Sequence, residues 1–107
     1  MKSSKHIGEN GKVIVTLRGE FDAYGARAVR GVFEDLVEIE DSRNVSINMN
    51  GVDFIDSSGI GEIVFLYRRL KGVNRNLELV GVQGKVWEVL ELLKIHQAIP
   101  VSMFGGD

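Results

Sequence analysis

The chain has 107 residues, of which 44% are hydrophobic and 26% charged, a size and composition that predict one compact domain over residues 1–107. Its 13 basic and 15 acidic residues give a net charge of -2, which argues against nucleic acid as a partner, and the absence of cysteine excludes disulfides and thiolate metal sites. Because the polar first residues do not resemble a signal peptide and no apolar stretch reaches the ~20 residues that span a bilayer, we expect a cytoplasmic protein without membrane insertion.

The first elements are a strand and a helix. β-Branched residues alternate over Lys12–Arg18, which predicts a strand with Val13, Val15 and Leu17 on one face, and Gly19 is expected to close it. Asp22 is placed to cap a helix that continues to about Ile39, since apolar residues recur there at steps of three and four.

The middle of the chain changes from a strand period to a helix period. A second strand is predicted over Asn44–Met49 and extended by residues 51–55. A helix follows from Ser58 to Lys71, with Glu62 on its outer side and Phe65 at the edge of the core. The residues expected to face inward are Ile60, Ile63, Val64, Tyr67 and Leu70.

The last third of the chain repeats the alternation. A strand is predicted over Leu77–Val82, a helix over Lys85–Lys94 and a short strand over Ile99–Phe104. Within the helix, the residues expected to face inward are Val86, Val89, Leu90 and Leu93, with Trp87 at the core edge.

The element order is therefore β-α-β-α-β-α-β, which predicts an α/β fold. Its sheet is expected to be mixed but mostly parallel, with four to five strands and with helices packed on it. Because parallel strands end at a common edge, the loop 19–22 and the turn 56–59 are expected to lie side by side.

The five residues from Asp56 to Ile60, in the sequence Asp-Ser-Ser-Gly-Ile, are the most informative part of the chain. They join a strand to a helix, where free N–H groups and the helix dipole favour an anion such as phosphate. Serine and aspartate are also common helix caps, so the residues alone allow either a displayed hydroxyl or a plain cap. Ser58 is the cap candidate, without a capping box because Gly61 occupies the third helical position.

Two motifs together resemble the STAS domain family, and in particular its stand-alone bacterial anti-sigma factor antagonists. The motifs are residues 17–22, Leu-Arg-Gly-Glu-Phe-Asp, and residues 52–61, Val-Asp-Phe-Ile-Asp-Ser-Ser-Gly-Ile-Gly, and the resemblance covers about residues 12–101. It implies that Ser57 is phosphorylated by a partner kinase that is also an anti-sigma factor, and that a serine phosphatase reverses the modification. The unphosphorylated form would bind the kinase and release the kinase's target, and the phosphorylated form would let the kinase go.

The resemblance also implies a partner-binding surface around Ser57 and no cofactor. The residues assigned to this surface are Glu20, Asp22, Asp56, Ser58, Gly59, Ile60 and Gly61. Some have simpler roles open to them, because Asp22 would serve as an N-cap, and Gly59 and Gly61 would let the helix lie close to the sheet.

Other functions are expected to fit less well. A STAS domain can also be a non-switching scaffold or an accessory subunit of a membrane transport complex, but such members often lack a serine at the position of Ser57. A serine hydrolase would need a base, whereas His6 and His96 lie near the two chain ends and no Gly-x-Ser-x-Gly motif is present. Both histidines are expected on the surface, and Asp53 with Asp56 lacks a third metal ligand, so no metal site is predicted.

Overall fold

The computed structural model describes residues 1–38 and 43–103. Within these ranges the strands are β1 (Lys2–Ile7), β2 (Val13–Phe21), β3 (Val45–Ile55) and β4 (Leu77–Val80). The helices are α1 (Ala23–Glu38), α2 (Ser57–Lys71) and α3 (Gly84–Leu92), followed by a 3₁₀ turn at Ile95–Gln97. None of the described helices combines the length and the apolar character needed to cross a bilayer.

The strands form one mixed sheet in the order β1-β2-β3-β4. β1 pairs with β2 in the antiparallel sense, whereas the β2–β3 and β3–β4 pairs are parallel. The predicted α/β fold with a mostly parallel sheet is therefore confirmed. Because β2 and β3 run side by side in the same direction, their carboxyl ends meet at one edge.

Alternate residues of the strands pack against the apolar stripes of the helices in one core. The inward face predicted for β2 is confirmed, since Val15 and Leu17 are fully buried, and Ile47 and Met49 of β3 are fully buried as well. On α2, Ile60, Ile63 and Leu70 are buried as expected, and Val64 and Tyr67 are partly buried. Leu66 is buried as well, although the sequence pattern did not assign it to the core.

β1 is a strand that the sequence pattern missed. All six of its residues are exposed, and it is held by main-chain pairing from Lys2↔Arg18 to Ile7↔Val13. An edge strand with no buried side chains has no alternation of apolar and polar residues, so its sequence carries no period to detect.

The expectation that Gly19 ends the first strand is wrong, because β2 continues to Phe21. Gly19 has φ +115, and the pairing of β2 with β3 shifts register on both sides of it. Glycine adopts this backbone conformation at little cost, so β2 continues through Gly19 instead of stopping, while β3 carries the extra residue at each register shift.

The last two predicted strands are shorter in the structure. β4 ends at Val80, not Val82, and the last strand is reduced to a single bridge between Val101 and Leu79. Pro100 has no N–H to donate to a neighbouring strand, so it pairs only through its carbonyl, which accepts from the Leu79 N–H at 2.9 Å. Phe104, like Ile39 at the predicted end of the first helix, lies outside the described residues.

α3 is also shorter than predicted, since it ends at Leu92. Leu93, expected to face inward, is 52% exposed because the chain leaves the helix before Lys94, whose φ is +58. Trp87 packs at the edge of the core as expected, and its ring lies 5.7 Å from the ring of His96. His96 is therefore half-buried, whereas a surface position was predicted, and His6 is exposed.

Candidate functional site

The candidate site lies at the edge of the sheet where β2 and β3 end. Phe21 pairs with Ile55, and the Asp56 N–H donates to the Phe21 carbonyl at 3.3 Å. This bond joins the last residue of β2 to the residue that precedes α2. The prediction that the loop 19–22 and the turn 56–59 are neighbours in space is thus confirmed by the pairing of the strands.

Asp56 is the N-cap of α2. Its backbone is extended, with φ -126 and ψ -168, and its Oδ1 accepts from the N–H of Ser58 at 2.9 Å and of Gly59 at 3.4 Å. The expectation that Ser58 caps this helix is therefore wrong. Asp56 holds the cap because it is the last extended residue before the helix, whereas Ser58 is already in the first turn.

Replacing Asp56 with Ala is expected to lower the free energy of unfolding by about 1 kcal/mol, because two N–H groups of the first turn lose their acceptor. Asp56→Asn keeps an oxygen at the same position and is expected to retain most of the stability. Urea unfolding of the three proteins measures the difference. Equal losses for Asn and Ala would show that the carboxylate charge, and not the cap geometry, matters at this position.

Ser57 is the first residue of α2, and it is exposed. Among residues 1–38 and 43–103, no hydrogen bond holds its side chain, so the hydroxyl is free to be modified or contacted. Ser58 is half-buried beside it. The two serines therefore differ in accessibility, and Ser57 is the one that an approaching enzyme reaches more easily.

The two glycines of the motif have different environments. A Cβ on Gly59 would overlap the Phe21 carbonyl oxygen and come within 2.8 Å of Phe21 Cγ and 2.9 Å of Ile55 Cγ1. Gly59 is therefore needed for the close approach of α2 to the ends of β2 and β3. Gly61 is exposed, and a Cβ there would meet no atom within 4 Å. Packing thus explains one glycine and leaves the other without a structural reason.

The remaining residues predicted at the site divide by exposure. Glu20 is exposed and Asp22 is half-buried. The Oδ1 atom of Asp22 accepts from the Gly25 N–H at 2.9 Å, so Asp22 caps α1 as predicted. Ile60 is only 9% exposed and packs in the core. Little of its side chain is therefore left for contact with a partner.

A carboxylate on α2 has a role that the sequence pattern did not predict. Glu62 was expected on the outer side of the helix, but it is 8% exposed and pairs with Arg30 of α1 at 3.0 Å. The packing of α1 against α2 buries this side of α2 and brings the arginine to the carboxylate. The pair links the two helices that begin at the site.

Two large exposed side chains close to the site were not predicted from the sequence. Tyr24, in the first turn of α1, is 78% exposed, and the Arg27 guanidinium lies 5.8 Å from its ring centroid. Phe54, two residues before the cap of α2, is 45% exposed. In a sequence, such a side chain is recognisable only as an aromatic residue outside the inward stripe of its helix or strand. It is a candidate contact residue only if the structure leaves it exposed.

The site offers a displayed hydroxyl among carboxylates and exposed aromatic rings, which suits contact with another protein. Within the described parts of the chain, no three His, Asp or Glu side chains come together as a metal site. Among the described residues, neither histidine forms a hydrogen bond with Ser57.

Comparison with known proteins places this geometry in context. The family described as STAS domain matches residues 3–104 of the chain. An anti-sigma-B factor antagonist from Listeria monocytogenes is 24% identical over 93 residues, covering 87% of this chain and 81% of that protein.

Solved structures share the fold. An anti-sigma-factor antagonist (STAS) domain protein from Planctomyces limnophilus superposes with a TM-score of 0.84 at 20% identity, covering 95% of this chain and 89% of the other. The Bacillus cell fate determinant SpoIIAA in its phosphorylated form superposes with a TM-score of 0.72 at 18% identity, covering 94% and 90%.

Proposed function

The chain belongs to the STAS domain family, and on this premise we propose that it is an anti-sigma factor antagonist that works by partner switching. In its unphosphorylated form it binds a protein kinase that is also an anti-sigma factor, and the kinase then releases its target. Phosphorylation of Ser57 ends this binding, and a serine phosphatase restores it. The observation that carries the proposal is the exposed, unbonded hydroxyl of Ser57 at the start of α2.

The relatives support the general role. The Listeria protein is named an anti-sigma-B factor antagonist, and the Bacillus structure is named for its phosphorylated form, so both the role and the modification occur on this fold. A regulator of this kind needs no catalysis of its own, and we propose that the chain is not an enzyme. Turnover of an ester that is lost on Ser57→Ala would contradict that part of the proposal.

The local geometry explains how a phosphate on Ser57 would act. Asp56 already occupies the N–H groups of Ser58 and Gly59, and the Ile60 N–H donates to the Asp56 carbonyl at 3.0 Å. A phosphate would therefore find few free donors in the first turn, and it would stay in solvent or face a partner. The helix dipole favours the added charge while the nearby carboxylates oppose it. The fold is expected to change little, and the effect lies at the docking surface.

The docking surface is where the added charge matters. Phosphorylation adds about -1.5 to -2 charges, close to the chain's whole net charge of -2. A partner packed over Ser57 would have to strip water from this charge without supplying a counter-charge, which costs several kcal/mol. One modification is thus enough to separate the two proteins.

Mass spectrometry of the protein purified from its own cells tests the proposal. We expect a form heavier by one phosphoryl group, with the group on Ser57 and not on Ser58, and we expect a tagged Ser57→Ala protein to co-purify with an ATP-binding kinase. The absence of any phosphoryl group under all growth conditions, or its position on another residue, would overturn the proposal. Recovery of a transporter subunit in place of a kinase would favour the accessory role.

A further inference from the structure

The outer face of α2 continues the exposed surface that begins at Ser57. Gly61, Phe65 and Arg68 follow Ser57 at steps of four, four and three residues, and all four are exposed. Residues at this spacing lie on one side of a helix. With a rise of about 1.5 Å per residue, Phe65 lies about 12 Å along the helix from Ser57. This distance is well within the footprint of one protein partner.

Phe65 is an aromatic residue without a place in the core. Its position at the core edge was predicted, and it is 36% exposed, so a third of its surface faces solvent. The Arg69 guanidinium lies 5.3 Å from its ring centroid. Stacking of this kind holds both side chains in place before a partner arrives, so less rotamer freedom is lost on binding.

The charge of this surface changes sign along α2. The end near Ser57 carries the carboxylates of Asp56 and of the neighbouring Glu20, whereas the last turn of α2 is basic, with Arg68, Arg69 and Lys71. Among residues 1–38 and 43–103, no salt bridge neutralises Arg69. A protein that covers the whole face therefore needs acidic groups opposite the last turn.

We propose that Phe65, stacked with Arg69, is a second anchor for the kinase and inserts into an apolar pocket of the kinase with an acidic rim. The inference rests on the proposed function, because the occupant is the same kinase that contacts Ser57. Three features select this occupant: the continuity of the face with Ser57, the basic charge at its far end, and Gly61 between the two contact points. Gly61 has open space around it, so a partner backbone can pass close to the helix.

The two contact points have different tasks. Ser57 decides whether the kinase can bind, since its modification changes the charge of the surface. Phe65 and Arg69 supply affinity that phosphorylation does not alter, and they restrict binding to kinases with a matching pocket. Aromatic and arginine side chains are enriched among the residues that dominate interface energies, which fits this pair.

Isothermal titration calorimetry with the kinase recovered by the Ser57→Ala protein tests the proposal. Phe65→Ala and Arg69→Glu are each expected to raise the Kd at least ten-fold, and Arg69→Lys to recover part of the loss because it keeps the charge. Two matched controls lie on α3: Leu92→Ala removes an apolar side chain that is 79% exposed, and Lys85→Glu makes the same charge reversal at an exposed site. Both controls are expected to change the Kd less than two-fold.

Thermal unfolding of each variant separates lost binding from lost folding, and if Phe65→Ala proves unstable, Arg69→Glu still tests the anchor with the ring in place. The proposal is overturned if the folded Phe65 and Arg69 variants bind within two-fold of the unsubstituted protein while Ser57→Asp still prevents binding. That outcome leaves the proposed function intact. If Ser57→Asp has no effect, or no kinase is recovered, the proposed function fails and the second anchor fails with it.

Discussion

Ser57→Asp is expected to weaken binding of the kinase by about 100-fold or more, whereas Ser57→Ala is expected to keep the Kd of the unsubstituted protein. The aspartate places a negative charge at the exposed start of α2, where the Asp56 carboxylate already takes the nearest N–H donors. Burying this charge without a partner costs roughly 3 kcal/mol or more, and each 1.4 kcal/mol is a factor of ten in the Kd.

Calorimetric titration of the kinase into each protein measures this effect. Ser58→Asp is the matched control, because it adds the same charge one residue away at a half-buried position. We expect Ser58→Asp to lower the stability of the fold more than Ser57→Asp, since its side chain has less contact with solvent. Equal Kd values for Ser57→Asp and Ser57→Ala would contradict the switch.

Gly59→Ala is expected to lower the free energy of unfolding by about 3 kcal/mol. The new Cβ would overlap the backbone oxygen of Phe21, and because that oxygen belongs to the sheet, α2 itself must move away. Such a movement would weaken the contact of α2 with the ends of β2 and β3. It would also displace Ser57, which lies in the same turn.

Gly61→Ala is the control in the same helix and is expected to have the opposite sign. A Cβ at this position meets open space, and alanine favours a helix over glycine by up to about 1 kcal/mol, so the variant should be more stable. Urea unfolding of both variants measures the two shifts. If Gly61 serves the approach of the kinase, the stabilised Gly61→Ala protein will bind the kinase more weakly. Similar unfolding free energies for the two variants would contradict the packing argument.

The position of the site could be predicted because it depends on local patterns. The change from a strand period to a helix period around residues 55–60 indicated a strand end followed by a helix start, and the structure confirms both with an error of one residue. The neighbourhood of the two loops followed from the rule that parallel strands end at a common edge. Both predictions depend on the order and direction of the strands and helices, and not on side-chain positions.

The assignment of the cap could not be predicted, because Asp56 and Ser58 are both good N-cap residues. The choice depends on where the backbone changes from extended to helical, and this point is set by how β3 ends beside Phe21. Element boundaries are decided by such tertiary contacts. Local residue types therefore locate a helix cap only to within a residue or two.

The sequence pattern also did not predict which side chains of α2 are buried. Glu62 and Phe65 were expected outside and at the core edge, yet the carboxylate is buried beside Arg30 and the aromatic ring is exposed beside Arg69. Helical period predicts which residues share a face, but not how wide the covered face is. That width depends on where α1 lies against α2, which no local pattern contains.

The amino-acid sequence by itself determined the alternation of strands and helices, the α/β class and the position of Ser57 at a helix start, since periodicity and turn residues act over a few neighbours. Only the tertiary structure decided which glycine is needed for packing, which carboxylate is paired and which aromatic ring is left for a partner. These properties depend on distances between residues far apart in the chain. They are fixed when α1 and α2 pack on the sheet, and not before.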